Sequence, residues 1–399
     1  MNPISFLKKQ ENPFKVNILK NLVQNFSMGL TQQYQSIYIT LLGADPIQLG
    51  LITSIGGVLN AAVTIPASHF ANRQGIKKAL LTSILITAIG YFIIGISNNW
   101  FFTIPGLALA SLAWGIGMVA CPMVCGNCLD NSERATGMQI CDTVSALPRL
   151  IAPLIAAFII TLFGGLTISG IKPLYWLQVL GLLSSFVIIF KFFDDIEFKN
   201  SGSDASLMND IRGVFKEGIM VKRWIVYIMF SNLPHYMAFY IPLYAKQVKG
   251  SDQIVLGMMD AGYWLIIILL AIPSGIWADQ MGRKKLVSFY TPIYCLSLVL
   301  LIVANSSIII IIAGLLNGFI MLASVTQGAI TAELVPKELL GSWFGLIGLM
   351  SGLVNVFSPV LGGFLWETLG PAYLFIFLSA SQVLKLPILA SIPSKITKD

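Results

Sequence analysis

The sequence predicts an all-α membrane protein of twelve transmembrane helices arranged as two pseudo-symmetric six-helix bundles. Three observations support this: the composition suits lipid, twelve segments are long and apolar enough to cross a bilayer, and the second half repeats part of the first. Of 399 residues, 56% are hydrophobic and 11% are charged, whereas soluble domains carry roughly 25% charged residues. A surface with so few charges suits lipid better than water.

A helix needs about 20 predominantly apolar residues to cross the hydrocarbon layer. Twelve segments meet this requirement, and Gly and Pro recur in them, as membrane helices allow. Spans 1 to 12 are predicted, in order, at 16–42, 47–70, 78–97, 101–128, 135–162, 172–192, 224–246, 254–277, 285–304, 307–332, 341–367 and 371–391.

The longest polar stretch, 194–222, divides the spans into six and six. It predicts a cytoplasmic linker between an N-terminal bundle at 1–193 and a C-terminal bundle at 223–399. Of the 25 Lys and Arg residues, 21 are assigned to one side, including Lys20 and, with the C-terminus, Lys385. Because basic connectors stay inside, we expect a multi-pass protein of the cytoplasmic membrane with both termini cytoplasmic. This placement of the charge argues against a nucleic-acid partner.

The two halves contain an internal repeat. The segment "GADPIQLG" at 43–50 reappears 207 residues later as "GSDQIVLG" at 250–257. The segment "IPASHFANRQGIKK" at 65–78 reappears at the same offset as "IPSGIWADQMGRKK" at 272–285, with no gap. Duplication of a six-span unit is typical of secondary transporters built from parallel repeats.

The second copy of this loop resembles the cytoplasmic loop signature of the major facilitator superfamily, G-x-x-x-D-R-x-G-R-K-K. The Arg that follows the Asp is replaced by Gln280. The signature positions are filled by Gly275, Asp279, Gly282, Arg283 and Lys284. The first copy is weaker, with Asn72 in place of the Asp, and it keeps Arg73 and Gly75. The resemblance implies a loop that latches the two halves when the protein opens outward; the alternative is a simple topology anchor.

A second pair of motifs lies in spans 5 and 11. The segments "APLIAA" at 152–157 and "SPVLGG" at 358–363 resemble the G-P-x-x-G-G motif that family members, especially antiporters, carry in span 5. The resemblance implies antiport. Small residues that let helices pack closely are the alternative explanation.

The resemblance also implies that spans 1, 4, 7 and 10 line a central cavity, and these spans carry polar and aromatic residues. Polar groups that face lipid are unfavourable, so we expect them to face water or protein. The candidate substrate-cavity residues are Asn25, Gln32, Gln35, Trp114, Asn232, His235, Tyr236, Tyr240, Asn317 and Gln327. Hydrogen bonding between helices is the alternative role of the polar ones.

Four ionisable residues are predicted to lie deep in the membrane and to act in charge coupling: Asp142, Arg149, His235 and Asp260. Asp142 and Arg149 are ~10 Å apart along a helix axis, which is long for a direct bond. We therefore predict that Arg149 contacts an anionic group of the substrate or pairs with Asp260; a purely structural ion pair is the alternative. Because imidazole changes charge near neutral pH, His235 is a candidate proton carrier, or else a neutral core histidine.

Three cysteines recur at helical spacing in span 4: Cys121, Cys125 and Cys128. Thiolates favour soft metals such as Cu(I), but Cys also packs as a small apolar residue. We predict no bound metal and no cofactor. The phosphate-binding motif GxxxxGK[ST] is absent from the sequence, as is any recognisable catalytic constellation, so we expect no enzyme.

These features predict a monomeric secondary active transporter whose partners are the lipid bilayer, a small-molecule solute and protons. The favoured function is proton-coupled export of an amphipathic or drug-like compound by alternating access. The alternatives are uptake of a sugar or organic anion, soft-metal transport through the cysteine and methionine face of span 4, and a non-transporting membrane sensor or scaffold.

Overall fold

The computed structural model describes residues 9–129, 134–194, 219–334 and 340–392. In these ranges the regular structure is α-helical, apart from a 3₁₀ turn at Trp100–Phe102. The predicted linker 194–222 lies largely outside them. The helices are α1 Asn12–Thr31, α2 Gln35–Leu41, α3 Pro46–Gln74, α4 Ile76–Ile96, α5 Thr103–Cys128, α6 Arg134–Leu162, α7 Ile168–Phe192, α8 Ile219–Met237, α9 Tyr240–Gln247, α10 Gln253–Met281, α11 Arg283–Val303, α12 Ser307–Asn317, α13 Phe319–Glu333, α14 Leu340–Thr368 and α15 Pro371–Ala390.

Ten helical segments of the described residues are long and apolar enough to cross a membrane. They correspond to ten of the twelve predicted spans. The remaining two, spans 1 and 7, are rich in polar residues and broken: α1 and α2 form span 1, and α8 and α9 form span 7. Span 10 is also interrupted, at Gly318 between α12 and α13. The predicted all-α membrane fold is confirmed, whereas spans 1, 7 and 10 are not the uninterrupted helices that the sequence indicates.

The break in span 7 has a local cause. Pro242 has no amide hydrogen to bond the carbonyl of Ala238, and its ring crowds that carbonyl. Helix α8 accordingly ends at Met237, and α9 starts three residues later. Span 1 breaks at nearly the same place in the repeat, since α1 ends at Thr31 and α2 begins at Gln35. In transporters, discontinuous helices of this kind form substrate and ion sites.

The chain divides into two compact units. Unit 1 holds the described residues of Met1–Ser201 together with Asp252–Gly257, and unit 2 holds those of Gly202–Ser251 and Met258–Asp399. In unit 1, α1 packs against α6 and α7, and α4 packs against α5 and α7. In unit 2, α8 packs against α14 and α15, and α11 packs against α12, α13 and α15. Each unit thus uses the same internal packing order, in agreement with the sequence repeat.

Both units place apolar side chains outside and some polar side chains inside. Phe158 and Ile272 are 63% and 68% exposed, whereas Gln178, Gln382 and Lys385 are 0% exposed. Exposed aromatic and branched aliphatic side chains on helices of this length are suited to contact with lipid tails. Buried polar groups need partners within the bundle, and these partners define the sites described next.

Candidate functional site

The first polar site lies in unit 1, where α6 packs against α1. The guanidinium of Arg149 donates from Nε and Nη2 to Oδ1 of Asn25, at 3.2 and 2.9 Å, and from Nη1 to Oε1 of Gln32 at 3.4 Å. Asn25 in turn donates from Nδ2 to the carbonyl of Ser145 at 2.8 Å. This last bond fixes the amide so that its oxygen faces Arg149. We call Arg149, Asn25 and Gln32 the Arg149 cluster.

The local sequence explains why these side chains meet. Asn25, Gly29 and Gln32 are spaced by four and three residues, so they share one face of α1. A Cβ added to Gly29 would lie 2.9 Å from Cβ of Ala152 and 3.7 Å from Cα of Arg149. The missing side chain therefore lets α6 approach α1 closely. Because Gln32 is the C-cap of α1, the cluster lies at the break in span 1.

The Arg149 cluster places a guanidinium group inside a membrane span. The amide oxygens of Asn25 and Gln32 satisfy guanidinium donors without supplying negative charge. An arginine held in this way has the charge and the donor geometry to bind a carboxylate or phosphate. The pairing of Arg149 with Asp260 stays a prediction; Asp260 is half-buried on α10. The side chain of Asp142 lies outside the described part of the structure.

The second polar site is a cavity of about 180 Å³ in unit 2. Its polar lining comes from α8, α13 and α14. These polar residues are Asn232, Ser324, Gln327, Thr331 and Ser351. Ile228, Gly328 and Ile347 complete the wall. The lining therefore includes two of the predicted cavity residues, Asn232 and Gln327, and combines polar with apolar surface, as small-molecule sites generally do.

Hydrogen bonds fix three residues of the cavity wall. Nδ2 of Asn232 donates to Oγ of Ser351 at 2.8 Å, and Oγ of Ser231 donates to Oε1 of Gln327 at 2.9 Å. Gln327 is 4% exposed. Its Nε2 has no hydrogen-bond partner among the described residues. One buried amide donor, on a residue that lines the cavity, therefore has an unused hydrogen-bonding capacity among the described residues.

Tyr240, a predicted cavity residue, is buried and hydrogen-bonded within unit 2. It is 0% exposed, its hydroxyl donates to the carbonyl of Pro359 at 2.9 Å, and its ring stacks on Trp366 with centroids 5.6 Å apart. This aromatic side chain fills the contact between α9 and α14, and its role in a substrate cavity stays a prediction. A buried hydroxyl with a carbonyl partner is typical of a structural tyrosine.

The other predicted cavity residues do not line the unit 2 cavity. His235 and Tyr236 are half-buried on α8, Asn317 is half-buried at the end of α12, and Gln35 is half-buried at the start of α2. Trp114 is exposed on α5. Their roles in a substrate pathway stay predictions.

The two copies of the loop motif share one backbone feature. Gly75 and Gly282 have φ angles of 91° and 92° and precede α4 and α11. Non-glycine residues are unfavourable at such angles, which explains why glycine occupies both turns. Asp279 is 75% exposed in its side chain and lies 3.8 Å from Nη2 of Arg283. A pair with so exposed a carboxylate contributes little to stability.

The remaining motif residues lie on or beside these turns. Gly275 is exposed within α10, and Arg73 is exposed near the end of α3. Lys284 donates from Nζ to the carbonyl of Ile392. The side chain of Asn72 lies outside the described part. The latch function of these residues stays a prediction.

The cysteines of span 4 do not form a described metal site. Cys125 and Cys128 are buried free thiols, and the side chain of Cys121 lies outside the described part. Among the described side chains, no group of three His, Cys, Asp or Glu is placed to hold a metal ion. The described residues therefore give the soft-metal alternative no support.

Two lysines that are predicted to lie on the cytoplasmic side are buried. Lys20 and Lys385 are 5% and 0% exposed; their location on the cytoplasmic side stays a prediction. Lys385 lies on the same face of α15 as Gln382 and Ser381 and belongs to the interior of unit 2. The sequence did indicate that Lys385 lies within a helix, because the predicted span 371–391 extends six residues beyond it.

Comparisons with known proteins agree with this architecture. The family model described as Major Facilitator Superfamily matches residues 22–259 and 249–384. The tetracycline resistance protein, class E, of Escherichia coli is 25% identical over 126 residues, which is 31% of each chain. A multidrug resistance protein B homolog of Mycobacterium tuberculosis (strain CDC 1551 / Oshkosh) is 30% identical over 129 residues, 32% of this chain and 24% of that protein. The matched region thus spans about a third or less of these relatives' length.

Two solved structures show the same fold at low sequence identity. The nucleoside transporter NupG superposes with a TM-score of 0.76 at 12% identity, covering 96% of this chain and 99% of that chain. A POT family transporter in complex with 5-aminolevulinic acid superposes with a TM-score of 0.77 at 16% identity, covering 96% of each chain. At such identities the likeness concerns the fold alone.

Proposed function

The chain belongs to the major facilitator superfamily and is therefore a membrane transporter; we propose that it exports an amphipathic or drug-like compound across the cytoplasmic membrane in exchange for protons. The observation that carries the proposal is the Arg149 cluster at the break of span 1. Ionisable residues within membrane spans mark substrate and ion pathways. Broken helices supply the polar backbone groups that such sites use.

Two further observations support a drug-like cargo. The unit 2 cavity combines amide and hydroxyl groups with the side chains of Ile228 and Ile347, a mixture suited to a solute with polar and apolar parts. The partially matching relatives are named as a tetracycline resistance protein and a multidrug resistance protein homolog. Both names describe drug resistance, and export of drugs is the transport function consistent with them.

Transport in everted membrane vesicles tests the proposal. An amphipathic fluorescent dye is added outside vesicles that contain the protein, while respiration keeps the vesicle lumen acidic. We expect a gradient-dependent accumulation of at least one dye from a set of an anionic, a neutral and a cationic compound. An uncoupler should abolish this accumulation, and vesicles without the protein should not show it.

Two outcomes would contradict the proposal. Accumulation that persists after the uncoupler would remove proton coupling. No accumulation of any dye, by protein shown to be folded and inserted, would argue against drug export. In that case, single cysteines are placed at Gln32 and Asn232 in a background without native cysteines. A carrier requires that these positions react with thiol reagents from both sides of the membrane in turn. In a sensor or scaffold they would react from one side only.

His235 gives a prediction about coupling. It lies half-buried on α8, one turn from Asn232 of the unit 2 cavity. If its imidazole carries the coupled proton, His235→Gln should keep substrate binding but lose most of the change in transport rate between about pH 6 and pH 8. The measurement is the initial rate of dye accumulation against pH in wild type and variant, with Asn355→Ala as a control on another half-buried polar residue of unit 2. A full wild-type pH profile in His235→Gln would remove His235 as the proton carrier.

A further inference from the structure

A buried lysine of unit 2 has few partners. Lys385 on α15 is 0% exposed, its Nζ donates to Oγ of Ser231 at 3.2 Å, and it lies 5.7 Å from the ring centroid of Tyr227. Among the residues that the structure describes, no carboxylate lies within 4.0 Å of this ammonium. A buried charge is strongly unfavourable unless an opposite charge or several hydrogen bonds compensate it. The neutral hydroxyl and the aromatic ring compensate it only in part.

The helix packing does not require a cation at this position. The buried residues of α7 recur in α15 with an offset of 200, so that Leu174 corresponds to Leu374 and Ile189 to Leu389. At the same offset, Lys385 of unit 2 corresponds to a residue of unit 1 that is also 0% exposed, Ser185. The hydroxyl of Ser185 donates to the carbonyl of Gly181 in its own helix. A small neutral residue thus fills the equivalent position in unit 1. Packing alone therefore does not explain why unit 2 has a lysine there.

A directed chain of hydrogen bonds connects Lys385 to the cavity. An ammonium can only donate, so Ser231 accepts from Lys385 and uses its own proton to donate to Oε1 of Gln327, at 2.9 Å. This bond occupies Oε1 of the Gln327 amide, so Nε2 is the polar atom of that side chain that can still form a hydrogen bond. This Nε2 is the buried donor that lacks a partner among the described residues, on a residue that lines the cavity. Because each bond in such a chain polarises the next, the cation strengthens the donor at the cavity.

The opposite wall contributes a second donor. Oγ of Ser351 accepts from Nδ2 of Asn232, and its own proton is then available to the cavity that both residues line. The eight lining residues include no carboxylate. A cavity with amide and hydroxyl donors, a buried cation behind one of them and an uncharged wall is complementary to negatively charged oxygen atoms.

We propose that the cavity of unit 2 binds an oxyanion group of the transported compound, such as a carboxylate, and that Lys385 supplies the compensating charge through Ser231 and Gln327. This inference deepens the proposed function and names the substrate class: an amphipathic compound with an anionic group. In this arrangement Lys385 is a positioning residue, because it acts on the ligand through Gln327.

Binding to the purified full chain in detergent tests the proposal, without any gradient. The probes are naphthoate and its uncharged analogue naphthamide, which differ in the oxyanion alone. We expect naphthoate to bind more tightly than naphthamide, as measured by calorimetry and by the shift of thermal unfolding. Lys385→Gln should weaken naphthoate binding by about tenfold, as expected for the loss of a charge-assisted hydrogen-bond network, and leave naphthamide binding unchanged.

Three further variants distinguish the loss of the Lys385 charge from a general loss of folding. Lys385→Arg keeps the cation and should retain most of the preference for naphthoate. Gln327→Met keeps the volume but removes the amide donor, so it should reduce that preference even if Lys385→Gln does not fold. Lys222→Gln removes an exposed lysine of α8 in the same unit and should change neither affinity.

The outcomes distinguish this inference from the proposed function. Equal affinity for naphthoate and naphthamide, an unchanged preference in both Lys385→Gln and Gln327→Met, or no naphthoate binding up to its solubility would each overturn the oxyanion site. Dye export in vesicles would still stand in those cases. Conversely, a charge-dependent preference in detergent supports the site even if no dye is exported.

Discussion

Replacing Arg149 by glutamine is expected to lower the initial rate of transport by at least about tenfold, the effect of losing one charge-assisted hydrogen-bond network of roughly 1.5–3 kcal/mol. Glutamine can still donate to Asn25 but has no charge and no guanidinium fork. The Asn25 amide stays anchored by its bond to the Ser145 carbonyl, so the site should keep its shape. The expected loss therefore reports on substrate contact and not on folding.

The measurement is dye accumulation in everted vesicles, normalised to the amount of folded protein. Arg149→Lys keeps the charge but cannot bridge Asn25 and Gln32 in the same way, so it should give an intermediate rate. Arg223→Gln is the matched control, because Arg223 donates to the carbonyl of Ser391 at 3.0 Å near the start of α8 and has no predicted role in transport. Wild-type rates in Arg149→Gln would mean that the Arg149 cluster is a structural contact alone.

The overall fold was accessible from the sequence because lipid imposes simple requirements. A span must be long, apolar and helical, since its backbone groups have no water to bond. These requirements recovered the spans, and the repeat around Gly75 and Gly282 indicated two related halves. The same two glycines have matching φ angles of 91° and 92°, so the sequence repeat reflects a shared backbone turn.

The interruptions of the spans were less accessible. Hydropathy averages over a window, and it does not register a change of two or three residues in backbone conformation. Pro242 gives a local reason for the break in span 7. Span 1 breaks between Thr31 and Gln35 without any proline, so its break depends on tertiary contacts that a single sequence does not reveal.

The candidate sites, like the fold, could be predicted from the sequence only in part. The spacing of Asn25 and Gln32 placed both on one face of span 1, but their convergence on Arg149 depends on the close approach of α6 at Gly29. Lys385 was counted with the C-terminus on the cytoplasmic side, and the sequence did not predict its burial. Whether a lysine extends outward or stays inside depends on which face of the helix it occupies, and in α15 it occupies the face shared with Leu378 and Gln382.

Replacing Gly314 by alanine is expected to destabilise unit 2 by about 1–3 kcal/mol, the usual effect of overpacking a closely packed contact. Gly314 lies on α12 where this helix crosses α10. A Cβ at this position would lie 2.6 Å from the carbonyl oxygen of Met259 and 2.8 Å from its Cα. These are backbone atoms, so relief requires the two helices to separate and lose the contact that the small residue allows.

A matched substitution separates the effect of the backbone clash from the effect of helix propensity. Gly348 lies on α14, where an added Cβ would meet nothing within 4 Å. Alanine favours a helix over glycine by up to about 1 kcal/mol, so Gly348→Ala should leave thermal unfolding unchanged or raise its midpoint, while Gly314→Ala should lower it. The measurement is tryptophan fluorescence of the full chain in detergent during heating. Because helix propensity is the same for both substitutions, a lower midpoint for Gly314→Ala alone identifies backbone contact as the cause, and equal midpoints would show that α10 and α12 do not pack this closely.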